Sequence, residues 1–296
     1  MNPFSENAAR LALVQQAVSL AHEGLDPLGS ATLSMRWARP ATDGLLLVSA
    51  SACLQAPAAD DDAWAASLHD GETPWPEDAL SGDVTAGLPD GYGVAGIAGL
   101  AGTAGAPAGV DLALPEWHPL NAASLAGLHG AIYAQRPQAG AVVLVASPCA
   151  ATLACSRDVQ QDGIPFFHPM VALSGRMHID CCPADVYATL AGASAAAPQP
   201  VPEVDDVWNE AASAAAEQQA NGEAQGYAAC AGRAQQMILQ ALGNGNACLV
   251  AHYGLLTVGP NPRAAVSLAR QLEALCRIYW QALQIGSVRV MPIRTH

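Results

Sequence analysis

Residues 136–154, RPQAGAVVLVASPCAATLA, carry the strongest local fold signal in the chain. Ala141 to Val145 make an unbroken apolar, β-branched run. It is entered through Pro137 and Gly140 and left through Ser147-Pro148, which predicts a buried strand ending at a turn. Immediately upstream, Leu125, Leu128, His129, Ile132 and Tyr133 recur at helical spacing after Asn121, so a helix is expected to run to about Pro137 and feed this strand.

The elements around this pair follow the same logic. Asn7 to His22 carries Leu11, Leu13, Val14, Ala17, Val18 and Ala21 at helical spacing and stops at Gly24. Ala31 to Arg36 and Gly44 to Ala50 read as two strands joined through Pro40-Ala41-Thr42-Asp43. Ile164 to Ala172 and Met177 to Cys182 suggest strand or helix-edge segments about the Ser174-Gly175 turn. Gly232 to Leu242 is helical in pattern, and Gly243-Asn244-Gly245-Asn246 turns into a strand over Ala247 to Ala251. A short strand over Leu255 to Val258 and a long helix from about Pro262 to Gly286 complete the pattern. Two stretches break it: 55–119, rich in Asp, Gly, Pro and Ala, and 193–228, an acidic mixture of Ala, Gln, Glu and Pro. Both read as insertions into one domain spanning 1–296.

Composition excludes several classes of function. Half the residues are apolar, enough for a sizeable core, and the formal charge of −14 argues against a nucleic-acid or anionic-membrane partner. No apolar run is long and charge-free enough to span a bilayer. The opening residues, with Glu6 and Arg10 and no basic n-region, read as a helix and not a signal peptide. Without an export signal the eight cysteines are expected to be reduced thiols in a cytoplasm. They form no C-x-x-C pair, and adjacent Cys181 and Cys182 would face opposite sides of a strand. Abundant Ala, Leu and Val point to a GC-rich bacterial source.

Five segments in order, Gly24 to Arg36, Leu45 to Ser51, Leu128 to Ala154, Ile164 to Gly175, and Ala241 onward into the last helix, resemble the class II aldolase/adducin head family, of the fuculose-phosphate aldolase and ribulose-phosphate epimerase type. The resemblance implies a three-layer α/β/α fold with a mostly antiparallel central sheet, and a homo-oligomer, often a tetramer. It also implies a zinc ion held by three histidines, two of them in an AVVH-x-HS-P strand, with a glutamate one helical turn before the L-H-x-x-I-Y histidine. Aligned on these motifs, the chain carries Leu144 and Ala146 for the strand histidines, Tyr253 for the third, and Leu125 for the glutamate. No cofactor is therefore expected. The family's small polar anion-binding positions fall on Thr32 and Ser51, in a loop and a turn that each lack a family glycine, and on Ser124, where Ala123-Ser124 replaces a serine pair.

His129, His168, His252 and Tyr253 remain as pocket candidates. Each has a bland alternative as a packed, hydrogen-bonded structural residue, and strand alternation is expected to aim His252 away from Tyr253. The leading reading is a non-catalytic, ligand- or partner-binding homologue, as the adducin head keeps the fold without the metal. The alternatives are a divergent aldolase, epimerase or decarboxylase-type enzyme using relocated residues on a small sugar or oxo acid, and a partner-binding module built on the acidic insertion.

Overall fold

Ala141–Val145 is a strand in which all five residues are buried, and it lies at the centre of a seven-stranded sheet. A computed structural model of the chain describes residues 6–39, 42–50, 95–98, 122–183 and 232–292. Ser51 lies outside them. So do the 193–228 insertion and, apart from 95–98, the 55–119 insertion.

In chain order the elements are α1 (Glu6–His22), β1 (Thr32–Arg39), β2 (Thr42–Ser49), β3 (Ala95–Ala98), α2 (Ala122–Gln135), β4 (Ala141–Val145), α3 (Pro148–Ala154) and α4 (Arg157–Asp162). A 3₁₀ turn (Pro169–Ser174) and β5 (Cys181–Cys182) follow, then a helix, α5, over residues 232–242. The last three are β6 (Ala247–Val250), β7 (Gly254–Gly259) and α6 (Pro262–Ile285). The sheet order is β3-β2-β1-β4-β7-β6-β5, antiparallel throughout except for the β5–β6 pair.

Strand alternation divides the core into two layers. One face carries Leu33, Val143, Val145, Leu249 and Leu255 against Leu13 and Val14 of α1, Leu153 of α3, and Val266, Leu272 and Leu275 of α6. The other carries Leu47, Val142, Leu144, Val250 and Leu256 against Leu125, Leu128 and Ile132 of α2 and Ile238 and Leu242 of α5. The result is the expected three-layer α/β/α arrangement. Cys181 falls in the first layer and Cys182 in the second, as two successive strand residues must.

Close backbone approach explains two glycines. A Cβ on Gly140 would collide with the Pro260 carbonyl, and one on Gly254, at φ 152°, with the Val145 carbonyl. These glycines let β4 and β7 pair in register from Ala141↔Gly259 to Val145↔Leu255. At the start of α6, Asn261 accepts a hydrogen bond from the Ala264 N–H at 2.8 Å and Pro262 fills the first turn.

The structure departs from the sequence reading in four places. The β1–β2 ladder runs on to Arg39↔Thr42, so the connection is shorter than Pro40 to Asp43, because ladder bonding continues through polar residues. Ser147-Pro148 opens a helix instead of a simple turn, since proline is pre-shaped for a first helical position. Residues 164–182 are mostly irregular, with one Ile164↔Ile179 bridge, the 3₁₀ turn closed by Gly175 in the left-handed region, and a two-residue strand. Within the first insertion, Ala95–Ala98 adds an edge strand beside β2.

Candidate functional site

The α2-facing side of the sheet holds a buried polar chain. β1 pairs with β4 through Thr32↔Leu144 and Ser34↔Val142, so Thr32 and Ser34 share the face of Leu144 and Val142 and meet α2. His129 and Tyr133, one helical turn apart on α2, project onto them. Ser34 Oγ lies 2.6 Å from His129 Nδ1 and 2.9 Å from the Tyr133 hydroxyl, and Thr32 Oγ1 lies 3.3 Å from His129 Nε2. At its outer end the Arg36 guanidinium donates to the Tyr133 carbonyl at 2.7 Å and sits 5.3 Å from the ring centroid. His129 is fully buried, and burial pushes its imidazole down to about pKa 3, so it stands neutral at ordinary pH. Burial raises the Tyr133 phenol, an effect softened first by the Ser34 hydrogen bond.

Beside this chain lies an apolar group. Leu125, Leu144, Ala146 and Tyr253 are each at most 5% exposed and belong to one packed cluster. Tyr253 donates its hydroxyl to the Ser30 carbonyl at 2.8 Å, and burial raises its phenol. The peptide it meets belongs to a tightly ordered loop. Asp26 Oδ1 accepts from the Ser30 N–H at 2.9 Å and the Ser30 hydroxyl at 3.2 Å, while Oδ2 accepts from the Ala31 N–H at 2.9 Å. All three residues are buried.

Other candidates are separated from this region. His168 heads the 3₁₀ turn, where its Nδ1 accepts from the Met170 N–H at 3.2 Å, and its neighbours Phe167 and Met170 pack in the α6 layer across the sheet from His129. His252 is exposed, with Gln160 Nε2 3.3 Å from its Nε2. It does diverge from Tyr253, but the expected reason is wrong. Residues 251–253 form a turn with His252 at φ 57°, so strand alternation does not apply there. Ser124 is buried in the first turn of α2. Among the described residues, no group of three or more His, Cys, Asp or Glu side chains could hold a metal ion, and no helix is long and apolar enough to cross a membrane.

Three buried charged residues escaped the sequence reading. Asp26 is one, and its signal was an Asp-Pro-x-Gly turn four residues before Ser30. Glu273 is the second. It accepts from Ser147 Oγ at 2.8 Å, the Cys149 N–H at 2.7 Å and the Ala150 N–H at 2.9 Å, tying α6 to the start of α3. A lone acid in the stripe Val266, Ala269, Leu272, Cys276 was the legible sign. The third is Arg136, which donates to the carbonyls of Leu242, the last residue of α5, and of Gly243 and Gly245 just after it. No sequence pattern announces that long-range pairing.

Comparison with known proteins places this geometry in a family. The profile of the Class II Aldolase and Adducin N-terminal domain matches residues 12–280. A 5-methylthioribulose-1-phosphate/5-deoxyribulose-1-phosphate aldolase of Rhodospirillum rubrum is 30% identical over 178 residues, which are 60% of each chain. The alignment thus spans well under two thirds of that relative. Among solved structures, an L-fuculose 1-phosphate aldolase superposes with a TM-score of 0.54 at 15% identity, covering 99% of this chain and 94% of its own. An aldolase II superfamily protein from Pseudomonas syringae gives 0.52 at 15% identity, with 99% and 83% covered. At such identities the superpositions speak for the fold. With the profile match extending over most of the sequence, the chain belongs to the class II aldolase and adducin N-terminal domain family.

Proposed function

We propose that this protein is a non-catalytic member of the family, retained as a ligand- or partner-binding homologue, and that it takes no zinc at the family's position. One observation carries the reading: the four positions onto which the family's ligands and glutamate align, Leu125, Leu144, Ala146 and Tyr253, are all buried and belong to the core layer on the α2 side of the sheet. Leu and Ala have no lone pair to offer a cation, and the Tyr253 hydroxyl is already committed to the Ser30 carbonyl. These residues do not fit the metal. An apolar side chain at Leu125, Leu144 and Ala146 also suits a closed core, where an unpaired polar atom costs about 1–3 kcal/mol.

The test is elemental analysis of the purified full chain together with assays of aldol cleavage on 5-methylthioribulose 1-phosphate and L-fuculose 1-phosphate. Stoichiometric zinc with turnover overturns the reading. Zinc-free protein without turnover supports it.

The second reading, a divergent aldolase, epimerase or decarboxylase-type enzyme, is favoured by the aldolase name of the R. rubrum relative. It would rest on His129, His168, His252 or Tyr253, which stand in different surroundings: buried, capping a 3₁₀ turn, exposed, and bonded to the Ser30 carbonyl. Turnover abolished by one of those substitutions would establish it.

Two further parts of the proposal concern context. A homo-oligomer, in the manner of a tetramer, is supported by exposed Ile278, Trp280, Leu283 and Ile285 along the end of α6, and light scattering on the full chain decides it. A cytoplasmic location is supported by the unpaired state of the six described cysteines, and fractionation of the source cell checks it.

A further inference from the structure

We propose that Asp26 is a built-in occupant of an oxyanion cradle: the loop from Gly24 to Thr32 forms a carboxylate-sized anion site and fills it in cis, closing it to external phosphates and carboxylates. Two successive peptide N–H groups, of Ser30 and Ala31, and the Ser30 hydroxyl converge on one carboxylate at 2.9, 2.9 and 3.2 Å. Successive amides pointing into one concavity are the donor set that binds free anions. Gly29, at φ 63°, supplies the left-handed step that turns those amides inward.

The cradle is buried as well as complete. Ser30 and Ala31 are fully buried and Asp26 is 2% exposed. From the other side the Tyr253 hydroxyl holds the Ser30 carbonyl at 2.8 Å, so the Ser30 amide, hydroxyl and carbonyl are all engaged within the chain. Removing the Asp26 side chain would leave the donors aimed at a space the size of a small carboxylate.

This inference deepens the reading above by naming the ligand class that the loop excludes, and it is tested without reference to metal. Thermal melting of the full chain is measured in formate, acetate, inorganic phosphate and chloride at matched ionic strength, for wild type, Asp26→Gly and Asp26→Asn. The expected result is that Asp26→Gly melts below wild type, that formate or acetate restores it saturably while chloride does not, and that wild type responds to none of them. Asp26→Asn, which sets an amide N–H₂ against a peptide N–H, is expected to lose stability too. The proposal is overturned if Asp26→Asn melts with wild type, if formate and acetate leave Asp26→Gly unmoved, or if wild type gains as much from the anions as the variant. Should Asp26→Gly not fold unaided, its refolding yield with and without formate reads the same property, and no formate-dependent recovery overturns the proposal. Failure here shows as an absent anion response, whereas failure of the functional reading shows as zinc content and turnover.

Discussion

Two groups of side chains lie side by side between α2 and the sheet, and they solve burial in opposite ways. Thr32, Ser34, His129 and Tyr133 keep their polar atoms and satisfy them with one another. Leu125, Leu144 and Ala146, joined by the ring of Tyr253, form an apolar group whose one hydroxyl is tied to Ser30. Leu125 and His129 share α2 and Leu144 and Thr32 are register partners on β4 and β1, while Ala146 follows β4 and Tyr253 comes from the turn before β7. The contrast shows that polarity persists in this layer where a protein partner stands within hydrogen-bond reach.

The sharpest way to break the comparison is acid. His129 is held neutral with a folded pKa of about 3 against 6.5 for a free imidazole. The unfolded chain therefore takes up a proton that the folded chain refuses as pH falls through 6.5, and stability drops until the folded pKa is reached. The slope approaches about 1.4 kcal/mol per pH unit, for a total of about 5 kcal/mol. Urea denaturation from pH 7 downward should show this loss in wild type and a shallower one in His129→Phe.

A smaller effect tests the apolar group. Leu144→His is expected to cost about 3 kcal/mol, from lost apolar burial and an imidazole without a partner. Leu144→His with Ala146→His and Tyr253→His would place three imidazoles on one cluster. If these are the family's ligand positions, zinc should raise the melting temperature of the triple variant and leave wild type unchanged.

Within the polar chain, Ser34→Ala removes the hydroxyl shared by His129 and Tyr133 and leaves both facing an apolar methyl. About 2 kcal/mol should be lost by urea denaturation. The smallest change is Tyr253→Phe, which deletes only the bond to the Ser30 carbonyl and should cost about 1 kcal/mol. Under the non-catalytic reading it alters nothing else, whereas the relocated-enzyme reading expects it to affect turnover.

Much of the fold was legible because its signals are local. The β4 run, the α2 periodicity and the Asn261-Pro262 start of α6 each state their own structure. The Leu125, Leu144, Ala146 and Tyr253 group was assembled through motif alignment, and all four side chains fall in the same buried layer. Asp26, Glu273 and Arg136 were missed because their partners depend on tertiary contact. The separation of His168 from His129 was equally hidden, since a shared list of pocket candidates does not say which face of the sheet each segment will cross.

Residue types alone specify the buried β4 strand, the α1, α2 and α6 helices and the lack of metal-donating side chains at Leu125, Leu144 and Ala146, because periodicity and side-chain chemistry are written residue by residue. Only the tertiary structure decided that His129 is enclosed and neutral, that Tyr253 is bonded to Ser30 and that Asp26 fills the Ser30–Ala31 amides. Burial and hydrogen-bond partnership belong to the surroundings a side chain meets, and those surroundings come from chain segments as far apart as Ser30 and Tyr253.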